Sequence, residues 1–113
     1  MRAPTFRHPS ERRAARWYRL RGYRVLATNV WLAGAELDLV VRRGRTLAFV
    51  EVKSKAGDGF GDPLEMIPPV KAERIRRAAL AWVAAHPDAA GLEPRFDVVA
   101  ERSRRIEHIA NAF

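Results

Sequence analysis

Residues 34–55, GAELDLVVRRGRTLAFVEVKSK, contain two apolar runs separated by a basic turn that includes Gly44. Apolar runs around a short glycine-containing segment predict a β-hairpin, here with strands over 37–41 and 47–52. This hairpin also carries four charged side chains, at Glu36, Asp38, Glu51 and Lys53. A plain core hairpin has no need of them, so the same stretch decides the fold and directs the search for a functional site.

The four charged side chains share one face of the predicted hairpin. With the turn centred on residues 43–44, Glu36 lies opposite Glu51, and Asp38 lies opposite Phe49. Side chains alternate along a strand, so the other face is entirely apolar. That face carries Leu37, Leu39, Val41, Ala48, Val50 and Val52. We therefore expect Asp38 and Glu51 to be diagonal neighbours, about 7–8 Å apart at the backbone, where two carboxylates can converge on one divalent cation.

Two explanations account for acids crowded on a partly covered strand face. Like charges repel in a dry site, and they persist only when a cation neutralises them. Lys53 can supply that cation, together with an arginine near Asp38, and the network is then structural. Alternatively, Mg²⁺ binds the carboxylates, because it takes oxygen ligands and keeps several waters. A lysine beside such a metal can orient an attacking water or stabilise negative charge on a phosphate.

The composition predicts one globular, cytoplasmic domain over residues 1–113. Hydrophobic residues make up 48% of the chain, enough for a single core at this length. The absence of cysteine excludes disulfides and thiolate metal sites, and it fits a reducing compartment. The sequence has no apolar run of transmembrane length and no secretory signal, so we expect no membrane partner.

The charge balance indicates a polyanionic partner. The chain has 21 basic and 13 acidic residues, a formal net charge of +8, and only three of the basic residues are lysine. Arginine suits bidentate contacts with phosphate, so DNA, or alternatively RNA, is the first partner to consider. A genome rich in G and C also encodes arginine freely, and that explanation stays open.

The rest of the chain predicts an α/β fold in which helices flank a mixed sheet. A strand over residues 23–30 precedes the hairpin, and two closing strands cover 95–101 and 105–109. With one helix before the first strand and one after the hairpin, the element order is αβββαββ.

Capping residues and prolines predict the helix boundaries. The first helix has Ser10 as its N-cap and is ended by Gly22. Two prolines at 68–69 start the second helix, which runs to about Ala85. Between the hairpin and this helix, residues 56–66 contain three glycines and predict a mobile loop that could act as a lid.

The second helix has one basic and one apolar face. Lys71, Arg74 and Arg77 form a stripe that can contact phosphates or can simply be solvated. The apolar face, which includes Trp82, is expected to pack in the core and not to stack on bases. Asp97, in the strand sequence RFDVV, is expected to pair with a nearby arginine and to be structural.

The spacing of the hairpin charges resembles a known nuclease signature. Asp38, twelve intervening residues and then Glu51-Val52-Lys53 are similar to the PD-(D/E)XK motif. The wider chain resembles the YraN-like family of small bacterial proteins, which are related to archaeal Holliday junction resolvases, over nearly its whole length. The resemblance rests on Glu11, Gly22-Tyr23, Asn29, Glu36-Leu37-Asp38-Leu39, Phe49-Val50-Glu51-Val52-Lys53, Lys55, Phe60-Gly61, Lys71, Arg74, Arg95-Phe96-Asp97-Val98-Val99 and the closing stretch from Ile106 to Phe113.

This resemblance implies a restriction-endonuclease-like fold and a residue-by-residue assignment of the site. Asp38 and Glu51 would bind Mg²⁺ or Mn²⁺, and Lys53 would be the catalytic lysine. Glu11 matches an acid that resolvase-like members bring from their first helix, which makes it a further catalytic and metal-binding residue. An acid in a first helical turn also favours the helix dipole, so Glu11 can equally be structural. Glu36 would support the ligands.

Two functions from different classes are consistent with the sequence. The resemblance implies a divalent-metal-dependent endonuclease that hydrolyses phosphodiester bonds in DNA, with branched or otherwise structured DNA as one substrate. Nucleic acid would then contact Lys55, Lys71, Arg74 and Arg77. The alternative is a non-catalytic nucleic-acid-binding module with the same fold. A pure binder has no reason to keep acids that face a polyanion, so we favour the nuclease; a homodimer, common among resolvase-like nucleases, stays open.

Overall fold

The chain is described by a computed structural model that covers residues 5–55 and 67–113, with the backbone alone for Lys55. The predicted lid at 56–66 therefore lies outside the described residues. Within them the chain forms two α-helices, a short 3₁₀ helix and five strands. In order these are α1 (Pro9–Arg19), β1 (Arg24–Leu32), β2 (Ala35–Arg43), β3 (Thr46–Lys55), α2 (Pro69–Ala85), the 3₁₀ helix (Pro87–Ala89), β4 (Glu93–Arg102) and β5 (Arg105–Ile109).

The five described strands form one sheet in the order β1-β2-β3-β4-β5. Neighbours are antiparallel except β3 and β4, which run parallel and are joined through α2. A parallel pair needs such a crossover, whereas antiparallel strands can be joined by tight turns. The predicted order αβββαββ and the mixed sheet are confirmed, and the architecture is consistent with a restriction-endonuclease-like fold. Neither described α-helix is long and apolar enough to cross a membrane.

The N-terminus of α1 differs from the prediction. The N-cap is His8 and not Ser10, and the Nδ1 atom of His8 accepts the N–H of Ser10 at 3.2 Å. Pro9 follows at the first helical position, where its fixed φ suits the helix and its missing N–H is not needed. Glu11 closes a capping box by accepting the N–H of His8 at 3.1 Å. As predicted, Gly22 lies just past the helix end, with a φ of +88°.

The β2–β3 hairpin is confirmed, but its predicted register is wrong. The turn occupies residues 44–45, so Phe49 lies opposite Val40 and not opposite Asp38. Gly44 takes a φ of +59°, a left-handed conformation that glycine adopts without steric cost. The pairing of Phe49 thus moves by two residues. Since side chains alternate with a period of two, a shift of two residues by itself leaves each side chain on its predicted face.

One residue of the predicted apolar face lies on the other side of the sheet. Leu37 packs with Val40 in the cluster under α2, whereas Leu39 packs in the cluster under α1. Asn29, the β1 residue between the partners of Leu39 and Leu37, has a φ of +50°. This left-handed residue lies beside the point in β2, around Asp38, where a period of two fails.

Each helix covers one face of the sheet with apolar side chains. The helix α1 contributes Ala14, Ala15 and Tyr18 to a cluster with Leu39, Val41, Ala48, Val50 and Val99. The helix α2 contributes Ile75, Ala78, Ala79 and Trp82 to a cluster with Leu37, Val40, Leu47 and Phe49. The core role predicted for the apolar face of α2 is confirmed. Because β2 and β3 are covered on both faces, charged groups at the open end of their hairpin lie in a partly dry environment.

Candidate metal centre

Three carboxylates from two elements converge at the open end of the β2–β3 hairpin. Glu11 comes from the first turn of α1, and Glu36 and Asp38 come from β2. One oxygen atom of each lies within 4.8 Å of the others, an arrangement that could hold a metal ion. We call this group the carboxylate cluster. From the sequence, Glu36 was expected only to support the ligands, but the structure brings its carboxylate into the cluster itself.

Glu11 is 7% exposed and makes hydrogen bonds with both of its carboxylate oxygens. Its Oε1 accepts the backbone N–H groups of Arg7 and His8, each at 3.1 Å. Its Oε2 accepts a hydrogen bond from Asn29 Nδ2 at 3.0 Å. The helix-stabilising role kept as an alternative is therefore present, and the same bonds hold the carboxylate beside the other two acids.

Asn29 and Arg7 link the members of the carboxylate cluster, although the sequence analysis assigned neither a role in the site. Asn29 Nδ2 also donates to Glu36 Oε1 at 3.3 Å. Arg7 Nη1 lies 2.5 Å from Glu36 Oε2, and the Arg7 side chain is largely exposed. An amide in an otherwise apolar strand was a sequence signal for Asn29. Arg7 precedes the first helix, and no local pattern distinguishes it from the other arginines.

Asp38 is the member of the carboxylate cluster whose ionisation is disturbed. It is 9% exposed, and its Oδ2 accepts the N–H of Val52 at 2.9 Å. Burial, together with the negative charges of Glu51, Glu11 and Glu36, raises the pKa of Asp38 to about 7. The hydrogen bond from Val52 opposes the rise without cancelling it. Near pH 7 the neutral carboxyl is therefore populated alongside the charged one, unless a cation compensates the charge.

Glu51 faces the same site from β3, but lysines hold its side chain. Glu51 is 6% exposed, and its Oε1 lies 3.3 Å from Lys53 Nζ and 2.7 Å from Lys71 Nζ. The structural ion pairing that the sequence left open therefore exists at Glu51. Both contacts use Oε1, and Glu51 is close enough for its charge to raise the pKa of Asp38. Its role as a metal ligand stays a prediction.

The two lysines beside Glu51 differ in how easily they lose a proton. Burial lowers the pKa of Lys53, the neighbouring Lys71 lowers it further, and Glu51 opposes these effects only in part. Burial also acts to lower the pKa of Lys71, but its contacts with Glu51 and Lys53 and the negative charges of Glu51 and Asp38 together outweigh burial, and the net shift is upward. Lys53 is therefore the lysine whose charge is less firmly held.

A cleft of about 410 Å³ opens onto these charges. It is lined by Trp31, Gly34 and Ala35 of the β1–β2 hairpin, by Glu36, Asp38 and Glu51, and by Lys71, Arg74 and Ile75 of α2. Arg77, the third member of the predicted basic stripe, instead lies with Arg74 in a neighbouring groove, 3.9 Å from Glu73. The predicted contact at Lys55 falls on a side chain outside the described part of the chain.

The chemistry of the carboxylate cluster suits a hard divalent cation. Its three acids supply oxygen ligands, which Mg²⁺ and Mn²⁺ prefer over the nitrogen and sulfur ligands of softer metals. The raised pKa of Asp38 also indicates negative charge that the protein groups around it do not neutralise. A bound cation would remove that imbalance, so the residues present fit a metal of this class.

A second buried carboxylate, Asp97, lies in β4 on the side of the sheet that α1 covers. It is 0% exposed and accepts hydrogen bonds from Tyr18 Oη at 2.7 Å and from Arg95 Nε and Nη2, both at 2.8 Å. The Nε2 atom of His108 lies 2.9 Å from the same carboxylate. Burial would raise the pKa of Asp97, but the bonds with His108, Arg95 and Tyr18 lower it to about 2. The predicted pairing with an arginine is confirmed.

Comparison with known proteins gives a consistent result over most of the chain. Residues 10–100 match the protein family described as uncharacterised protein family UPF0102. A UPF0102 protein of Methylorubrum extorquens is 50% identical over 95 residues, which cover 83% of this chain and 73% of the relative. One from Beutenbergia cavernae is 45% identical over 104 residues, covering 88% and 87%. One from Geobacter sulfurreducens is 43% identical over 105 residues, covering 88% and 80%.

Proposed function

The chain belongs to the UPF0102 family, and from this premise we propose that it is a divalent-metal-dependent endonuclease that hydrolyses phosphodiester bonds in DNA. One observation carries the proposal. Three acids with oxygen atoms within 4.8 Å of one another lie beside a glutamate that is paired with two lysines, in one cleft. Acids that only stabilise a fold are normally neutralised by their protein partners, whereas Asp38 makes no ion pair with any described residue and its pKa is raised.

We assign the metal to Asp38, with Glu11 and Glu36 completing the carboxylate ligands. The cation would be Mg²⁺ or Mn²⁺, because the donor atoms are carboxylate oxygens. When bound, such a cation neutralises charge on the scissile phosphate and lowers the pKa of a water molecule. Glu51 can join the ligands through Oε2, since its contacts with Lys53 and Lys71 both use Oε1.

Lys53 is the residue we assign to catalysis beside the metal ligands. Its burial and the neighbouring Lys71 lower its pKa, so it holds its proton less firmly than a surface lysine. Its compact ammonium group can orient the attacking water or donate to negative charge that develops on phosphorus. Lys71, whose side chain is 39% exposed at the cleft, is assigned to binding the phosphate backbone.

DNA is the proposed partner because the surface charge favours a polyanion. The formal net charge is +8, and Lys71 and Arg74 line the cleft that contains the acids. Arg77 and Lys55 would extend this contact along the strand, and RNA is the alternative polymer to test. The resemblance to Holliday junction resolvases supports branched DNA as one substrate.

Cleavage by the wild type and by lysine variants tests this proposal. The wild type should cleave at least one of linear, nicked, single-stranded and four-way-junction DNA when Mg²⁺ or Mn²⁺ is present. Lys53→Ala should lower single-turnover cleavage by about 100-fold, the typical cost of a lost transition-state donor. Lys53→Arg should not restore it, because a planar guanidinium differs in shape from a compact ammonium. Affinity measured in Ca²⁺ should change little in either variant.

Lys71→Ala is the matched control, because both lysines contact the same oxygen of Glu51. It should weaken DNA affinity more than Lys53→Ala does and lower the single-turnover rate less. Full activity in Lys53→Arg would remove the catalytic assignment of Lys53. Binding without cleavage of any of the four substrates would favour the second candidate, a non-catalytic nucleic-acid-binding module.

A further inference from the structure

Trp31 is the most exposed of the three tryptophans in this protein. It is 69% exposed, whereas Trp82 is 3% exposed in the core under α2 and Trp17 packs against Tyr18 and His108. A tryptophan offers a large apolar surface, and leaving it in water forgoes much of the burial free energy. An exposed indole beside a charged cleft is therefore accessible to a ligand that covers it.

The β1–β2 hairpin holds Trp31 on the side of the carboxylate cluster. Trp31 pairs with Glu36, and side chains of directly opposed residues project from the same face of a sheet. The connecting turn contains only Ala33 and Gly34, with φ values of +51° and +83°. Two left-handed residues form the tight turn that matches the twist of a hairpin, so the indole is presented on a short, well-defined element.

The cleft beside Trp31 combines an aromatic surface with cationic groups. Trp31 lines the same cleft as Asp38 and Glu51, and α2 contributes Lys71 and Arg74 to its lining. Phosphates of a nucleic acid strand are attracted to the two cations, and a base attached to that strand can stack on the indole. Stacking on an aromatic side chain requires a free base face, which a regular duplex does not offer.

We propose that Trp31 stacks on an unpaired nucleobase next to the phosphate held at the carboxylate cluster, so that the protein prefers single-stranded or locally unpaired DNA. This inference rests on the proposed function for its ligand class and deepens it, because it names the state of the strand that the cleft accepts. Stacking is tolerant of sequence, since every base has an aromatic face. The preference should therefore depend on pairing and not on base identity.

Equilibrium binding without catalytic metal tests the inference independently of cleavage. The wild type and Trp31→Ala are compared in Ca²⁺ on a single-stranded oligonucleotide and on the duplex of the same sequence. Trp31→Ala should weaken single-strand affinity by about 10-fold, as for a lost base–aromatic stack, and duplex affinity by less than about 2-fold. Trp31→Phe should keep most of the single-strand affinity, because it retains an aromatic face.

Leu80→Ala is the matched control, since Leu80 is a similarly exposed apolar residue, at 72%, on α2. It should change neither affinity. In a single strand with abasic positions instead of bases, the wild type should lose its advantage over Trp31→Ala. Thermal melting of each variant should stay near the wild type, because an exposed side chain contributes little to the folded state.

Any one of the following outcomes would overturn the inference. If Trp31→Ala weakens the affinity for single-stranded and duplex DNA equally, Trp31 is a general contact with the DNA backbone. If the substitution changes neither affinity, or if the wild type binds neither DNA, Trp31 has no role in DNA recognition. A dimer in sedimentation that Trp31→Ala converts to a monomer would make the indole an interface between two copies of the chain. Cleavage that is unaffected by Trp31→Ala on every substrate contradicts this inference alone, whereas a single-strand preference without any cleavage contradicts only the nuclease proposal.

Discussion

Asp38 and Asp97 are both buried aspartates on neighbouring parts of one sheet, yet their surroundings shift their pKa values in opposite directions. Asp97 is 0% exposed and has Tyr18, Arg95 and His108 around its carboxylate, which bring its pKa down to about 2. Asp38 is 9% exposed, accepts one backbone N–H and faces other acids, and its pKa rises to about 7. Burial alone therefore does not decide the ionisation of a carboxylate; the partners that replace water do.

The contrast separates a structural carboxylate from a candidate ligand. The Asp97 network satisfies its charge from within the chain, so it needs nothing further to be stable as an anion. In the carboxylate cluster, Arg7 pairs with Glu36, but Asp38 makes no ion pair with any described residue and faces other acids. A fold keeps such a site at a cost in stability, and a bound cation would repay it. Three measurements test this difference between the two aspartates.

The largest change in the free energy of unfolding is expected for Asp97→Ala. Asp97→Ala would leave Arg95 and Tyr18 without their buried partner, and breaking a buried ion pair in this way costs about 3–5 kcal/mol of unfolding free energy. Urea or thermal unfolding measures this cost. Asp97→Asn should recover only part of the loss, because the amide keeps the shape and one acceptor but not the charge. A variant as stable as the wild type would show that the network does not hold the fold.

A smaller change in the free energy of unfolding is expected when the pH is lowered. Because the folded-state pKa of Asp97 lies near 2 and an unfolded aspartate titrates near 4, the network stabilises the fold fully above about pH 4. That contribution, about 2 kcal/mol, is lost as the pH falls through about 2. Unfolding free energies measured between about pH 5 and about pH 2 should decline accordingly.

Tyr18→Phe provides the comparison for the pH experiment. It removes the hydroxyl that donates to Asp97 at 2.7 Å while keeping the ring that α1 packs against the sheet. The pKa of Asp97 should then lie closer to its ordinary value, and the acid-induced decline should be smaller than in the wild type. The same decline in both proteins would mean that the hydroxyl bond does not contribute to the ionisation of Asp97.

The smallest change in the stability of the fold is expected for Asp38→Asn. Asparagine resembles the neutral carboxyl that the crowded site favours, so Asp38→Asn should leave the metal-free melting temperature unchanged or raise it. In the wild type, Mg²⁺ or Mn²⁺ at ten times its dissociation constant should stabilise the fold by about 1.4 kcal/mol. Asp38→Asn should abolish that stabilisation, while Glu73→Gln, on the exposed face of α2, should not. Differential scanning fluorimetry with and without metal measures both quantities.

The opposite result for Asp38→Asn would show that the two aspartates have the same role. If the wild type shows no shift at millimolar metal and Asp38→Asn destabilises strongly, then Asp38 is a structural residue like Asp97. The hydrogen bond from Val52 to Asp38 would in that case be the interaction that the asparagine disturbs. The metal assignment in the proposed function would then be withdrawn.

Local patterns predicted the elements well but the details of their ends less well. The second helix was predicted from two prolines to about Ala85, and α2 ends at Ala85. The first helix was given Ser10 as its N-cap, whereas His8 caps it. Several residues before a helix can accept its free N–H groups, and the proline at the first helical position selects His8. Capping chemistry alone therefore does not identify the capping residue.

The site was predictable in part. Charged residues in apolar strands indicated Asp38, Glu51 and Lys53, because the period of a strand projects them to one face. Asn29 and Arg7 were not predicted to hold the cluster together, since their contacts join β1 and the segment before α1 to β2. Trp31 was not predicted to line the cleft for a similar reason, because exposure depends on what packs beside a strand and not on the strand's own pattern.

The order of the elements, the hairpin and the membership of the family could be predicted from the sequence alone. The reason is that periodicity, prolines, glycines and motif spacing are local properties of the chain. Which acids lie together, and which lysines pair with them, depended on the tertiary structure. The Asn29 side chain links Glu36 to Glu11 in the carboxylate cluster, and α2 placed Lys71 on Glu51. These outcomes depend on contacts between residues far apart in the chain, whose geometry is set by the packing of both helices against the sheet.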